Sequence, residues 1–158
     1  MARGKRIFLV GLVAAATVPV VWLLTRTSTG EPLTAERLAE AKGLWEKHGP
    51  RSYDLDIEAP DARHHVEVRN GVVVAMTTNG GDVPERVREK WNVEGMLGFL
   101  SEELSNTRRP EAAYGVTDPG DVTLRAAFDA RNGFPSRFLR HVRGRTRSFE
   151  WNARLSER

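Results

Sequence analysis

The side chains able to do chemistry lie in three places along the chain. Asp54, Asp56 and Glu58 alternate in the run SYDLDIE, which puts three carboxylates on one face of an extended strand. Carboxylate oxygens suit hard cations such as calcium, but a cation site needs ligands that converge. A strand splays next-but-one side chains about 7 Å apart, so a solvated sheet face is expected here. His64 and His65 are adjacent and point to opposite faces of a strand, while His48 and His141 are distant in sequence. No H-E-x-x-H and no G-x-S-x-G occurs. The chain has no cysteine, which excludes disulfides, thiolate catalysis and cysteine-ligated zinc. No catalytic residue, metal ligand or cofactor is assigned.

The second place is Asp129 with Gly133-Phe134-Pro135. In a turn, Asp accepts backbone N–H bonds, Gly supplies positive φ and Pro stiffens the entry to the next strand. A ligand role for Asp129 is the alternative, since turns often carry binding residues. The third place is a run of arginines: Arg137, Arg140, Arg143, Arg145 and Arg147, with His141 and Arg154 nearby. Residues 131–158 hold eight arginines against two glutamates. Charge on an edge strand blocks aggregation. It also suits an anionic surface, whether lipid headgroups, a cell-wall polymer or an acidic partner protein. Nucleic acid is not an expected partner. The net charge is +3, but residues 1–26 hold four cations and no acid, leaving 20 basic against 21 acidic residues.

These residues are carried by a regular order of elements. Thr34 is a good N-cap, Glu36 favours the positive helix start, and Leu33 can staple onto Leu38. Leu38, Ala41 and Trp45 fall on one helical face, and Gly49-Pro50 ends the helix. Tyr53, Leu55 and Ile57 alternate as the inward face of a strand over 52–58. A second strand over 63–69 puts His64, Val66 and Val68 on one face. Asn70-Gly71 predicts a two-residue hairpin that sets Val68 opposite Val73. That register puts Val72, Val74 and Met76 on the more polar face, where partial cover is expected. Residues 78–90 read as a loop. Asn92 starts a second helix with the stripe Val93, Met96, Leu97, Leu100 and Leu104. Residues 105–120 read as a linker loop. Val122, Leu124, Ala126 and Phe128 then alternate as a strand. Strands over 136–142 and 147–155 close a last hairpin, with Phe149, Trp151, Ala153 and Leu155 facing in. The fold class expected is α+β, an αβββαβββ domain with an antiparallel sheet and both helices on one face. Both helices open on one cap pattern, which hints at a duplicated αβββ unit.

Several segments resemble a bacterial domain family of unknown function, number 6174. They are Leu44-Trp45, Gly49-Pro50-Arg51-Ser52-Tyr53, the hairpin from Val66 to Val73, Trp91-Asn92-Val93-Glu94, and Phe128 to Pro135. The resemblance covers about residues 35–155. It implies an exported or membrane-attached protein, and supplies no catalytic residues because the family has no assigned activity. The chain departs from the family in lacking cysteines on the first strand. It also carries Arg140, Arg143, Arg145 and Arg147 where members tend to be acidic.

Ile7 to Leu24 form an 18-residue run without charge, just long enough to span a bilayer. Arg3, Lys5 and Arg6 precede it, which places the C-terminal side outside the cytoplasm, and Trp22 suits the headgroup layer. A cleaved signal peptide would need a small-residue site after the run. Thr25-Arg26-Thr27-Ser28 stands there, so a retained anchor is expected, with secretion as the consequence of cleavage. The domain organisation is then a basic flank and anchor over 1–26, a linker over 27–33 and an extracytoplasmic domain over 34–158. The function expected is a non-enzymatic envelope module that binds a ligand or an envelope partner through a strand edge or the arginine-rich hairpin. Two alternatives stand beside it. One is an enzyme or metal-dependent site at the Asp129 turn. The other is an inhibitor-like or chaperone-like domain that presents its sheet to a protein.

Overall fold

Thr34 begins the first helix, α1, which runs Ala35–His48; the Thr34 hydroxyl accepts from the Arg37 backbone N–H at 3.3 Å. This computed structural model describes residues 30–158. The anchor expected at Ile7–Leu24, with Trp22, lies outside the described residues. Among the described residues no helix is long and apolar enough to cross a membrane.

Eight strands form one antiparallel sheet: β1 (Glu31–Pro32), β2 (Tyr53–Ala59), β3 (Ala62–Arg69), β4 (Val72–Thr78), β5 (Gly81–Asp82), β6 (Val122–Phe128), β7 (Pro135–Val142) and β8 (Phe149–Glu157). Their order is β1-β6-β7-β8-β2-β3-β4-β5. The meanders β2–β4 and β6–β8 therefore lie side by side, joined where β8 pairs with β2. Each edge is closed by a two-residue strand, a short edge that gives little template for further pairing.

The second long helix, α3 (Val93–Asn106), is capped by Asn92, whose Oδ1 accepts from the Gly95 N–H at 2.9 Å. It follows a short helix α2 (Glu85–Arg88), and a further short helix α4 (Pro110–Tyr114) comes after it. One core cluster unites Leu38, Ala41 and Trp45 of α1 with Met96, Leu97 and Leu100 of α3. It includes the inward residues of the strands, so both helices cover the same sheet face. Tyr53 locks the layers together. Its hydroxyl accepts from the buried Val93 N–H at 3.1 Å, and burial, with the Glu94 charge adding to it, pushes its pKa up to about 12. Trp45 donates to Glu94 at 2.9 Å and ties α1 to the start of α3.

Four local expectations need revision. Glu31–Pro32, expected in the linker, pairs with β6, and Leu33 is buried. The loop 78–90 contains β5 and α2. The loop 105–120 contains α4, because Pro110 is tolerated at the first helical position and Gly115 ends the helix at φ +70°. The hairpin at Asn70 and Gly71 has φ of 52° and 82°, and Val68 does face Val73. A bulge follows, however, and Glu67 faces Ala75 with Val74 left over. The extra residue reverses the faces beyond it, so Met76 enters the core while Val72 and Val74 stay exposed.

Candidate functional site

The pleat divides the arginine hairpin. Arg137 stands opposite Asn152 on the open face and pairs with Glu150 at 3.5 Å. Arg140 stands opposite Phe149 on the helix-covered face and pairs with Glu103 at 2.7 Å. Arg143 pairs with Asp121 at 2.9 Å. Arg145 donates to the Tyr114 carbonyl at 3.3 Å, and Arg147 is exposed in the β7–β8 turn. The five arginines do not form one row, and three of them meet an acid within the domain.

Asp129 is held by its own turn. Its carboxylate accepts from the Arg131 backbone N–H at 2.8 Å and pairs with the Arg131 guanidinium at 3.2 Å. These contacts, the side-chain bond first, hold its carboxyl below the usual carboxylate range. Gly133, at φ +75°, lies so close to α1 that a Cβ would collide with the Ala41 carbonyl. The turn is thus a seat for α1. Among the described residues no group of three or more His, Asp and Glu is placed to hold a metal ion. His64 bonds Thr78, His65 bonds Asp56 and His141 bonds Ser148.

The open face is a mosaic of opposite charges, with one departure from the solvated face expected. Asp56 and Glu58 are exposed, but Asp54 is buried. Arg69 bonds one of its oxygens at 2.8 Å and Arg158 the other at 2.6 Å. Burial pushes this carboxyl up, yet the two arginines outweigh it and hold it below the usual range. A hollow of about 730 Å³ lies here, lined among others by Asp56, Arg63, His65 and Arg154. Its charges face each other across the strands, so little field remains for a ligand.

Three features of the covered face went unread in the sequence. Glu103 is buried at i+3 from Leu100 and i+7 from Met96, within the apolar stripe. Besides Arg140, it accepts from the Tyr114 hydroxyl at 3.1 Å. The Arg140 guanidinium lies over the Tyr114 and Phe149 rings, 5.3 and 5.0 Å from their centroids. Burial, with the Glu103 charge beside it, raises the Tyr114 phenol.

The second feature is an apolar hollow of about 550 Å³ beside α3. Its lining includes Ile57 and Trp151 of the sheet, Met96 and Phe99 of α3, and Trp91 and Phe149. Trp91 rests against His64 with ring centroids 4.4 Å apart and planes tilted by 44°, and burial lowers the His64 pKa, which favours the neutral ring. Phe149, expected to face in, is 38% exposed because it stands at the mouth of this hollow. Gly98 supplies space here, while Gly95 admits a close backbone approach. A Cβ on Gly95 would collide with the Lys90 carbonyl, whereas one on Gly98 would meet nothing within 4 Å. Gly98, a glycine in the helix interior away from either cap, was the available signal.

The third feature is a neighbouring hollow of about 670 Å³ that shares Phe149 and is lined by Tyr114, Arg140, Arg145 and Arg147. Pockets that are mainly apolar with a few polar groups at the rim are those that bind small molecules most often. The hollow beside α3 has that character, with Lys90 and Glu102 at its rim. Compared with known proteins, the chain matches no family model, no curated protein and no solved structure.

Proposed function

We propose that the protein is a non-enzymatic envelope module, tethered by Ile7–Leu24, that binds an apolar ligand in the hollow beside α3. The hollow itself is the observation that supports this reading. It is open and lined by aromatic and aliphatic side chains, and one wall is a helix position, Gly98, where a side chain would fit and none is present. The basic residues Arg3, Lys5 and Arg6 before the apolar run support the tether. The Asp129 turn offers less to chemistry, since its carboxylate is already bonded to Arg131. The open sheet face offers less to a protein client, since apart from Val72 and Val74 on β4 it is mainly charged.

Photolabelling tests the proposal. The full chain would be placed in phosphatidylcholine nanodiscs with a diazirine-bearing alkyl probe, and the labelled peptides mapped by mass spectrometry. Label is expected on residues 90–102 and 149–151. Gly98→Leu fills the space and should abolish it while helix content stays unchanged. Label spread evenly over the domain, or equal label in the variant, would refute binding in the hollow.

A further inference from the structure

The ligand of this hollow can be specified further, on the reading that the hollow is a binding site. We infer that it is a single-chain anionic amphiphile, with its tail beside α3 and its head in the arginine-lined hollow next to it. Phe149 lines both spaces, so its ring is the sill between them. The two sides of that sill differ in chemistry. Beside α3 the lining is apolar, and nothing in it could hold a charged head away from the rim. Across the sill stand Arg140, Arg145 and Arg147, with Glu111 as the one acid of that lining.

The charge there is directional. Arg140 is already matched by Glu103 at 2.7 Å, and its guanidinium is held over the rings of Tyr114 and Phe149. It shapes the wall and brings little free charge. Arg145 donates to a backbone carbonyl, and among the described residues no ion pair engages it, which leaves its charge unmatched. Arg147 is exposed in the same turn, and among the described residues no ion pair engages it. Two unmatched cations against Glu111 leave the second hollow positive. A head with carboxylate, phosphate or sulfate oxygens would complement it, since guanidinium groups bond such oxygens in charge-assisted pairs. A neutral lipid would fill the first hollow and leave the second without a partner.

The experiment compares two probes of equal chain length, a photoactivatable alkyl sulfate and the corresponding alcohol. Each is titrated against the full chain in phosphatidylcholine nanodiscs. The wild type, Arg145→Gln/Arg147→Gln and Gly98→Leu are compared by the half-saturating concentration for label on residues 90–102. The sulfate is expected to saturate at a concentration lower by about tenfold, the factor that one charge-assisted contact supplies. The double variant should remove that advantage and leave the alcohol unchanged. Equal saturation by both probes, or an advantage that survives in the double variant, would overturn the anionic head and leave the hollow standing. No saturable label from either probe, or label that persists in Gly98→Leu, would overturn the hollow and this inference with it.

Discussion

Asp54 and Glu103 are buried to the same degree on opposite faces of one sheet, and both are matched by arginine. Their surroundings differ. Asp54 gathers Arg69 from the end of β3 and Arg158 beyond β8, so it draws two distant segments together, and it lines none of the hollows described above. Glu103 holds a single arginine against two aromatic rings; the pair lines an open hollow of about 680 Å³, and Arg140 also lines the one that Phe149 borders. Burial of a carboxylate is thus no marker of a site. What surrounds the pair, closure in one case and retained space in the other, separates a staple from a wall.

The contrast is sharpest when one arginine is removed from each side. Arg140→Met should cost about 3 kcal/mol, because Glu103 then remains buried without a cation. Arg69→Met should cost less, about 1.5 kcal/mol, because Arg158 still bonds Asp54. Urea denaturation of both variants measures the difference. Equal losses, or a larger loss for Arg69→Met, would erase the distinction between one shared carboxylate and one singly paired.

A smaller effect comes from protons. The Asp54 carboxyl titrates below its ordinary value in the folded protein. Its contribution to stability is therefore complete above the unfolded pKa of about 3.9 and is lost as pH falls through the folded value. Stability measured from pH 6 to pH 2 should fall across the acid end of that range. Asp54→Asn should flatten that part of the fall. If the variant and the wild type fall in parallel, the two arginines do not stabilise the charged form.

Much of this arrangement was legible beforehand, for a local reason. Thr34 and Asn92 cap, Asn70-Gly71 turns, and alternation marks the strands, because each rule acts over a few residues. The bulge at Val74 was not legible, since one extra residue leaves no mark in a run of valines. Asp54 looked solvated because one of its partners is 104 residues away. The arginines read as one basic row because sequence spacing hides the pleat that sends Arg137 and Arg140 to opposite faces. Gly98 was readable in principle. An interior helical glycine needs a reason, and here the reason is the space beside it.

That space sets the smallest effect. Gly98→Ala adds a methyl group where a Cβ meets nothing within 4 Å. Alanine loses less backbone entropy than glycine on entering a helix, so the variant should gain about 0.5–1 kcal/mol in denaturation. A protein under pressure for stability alone would hold alanine at this position. A gain in stability together with weaker labelling beside α3 would show that the glycine keeps the hollow open at the expense of the helix. A loss of stability would mean that the methyl group meets packed atoms, and that the space beside α3 is filled in the way that the surroundings of Asp54 are.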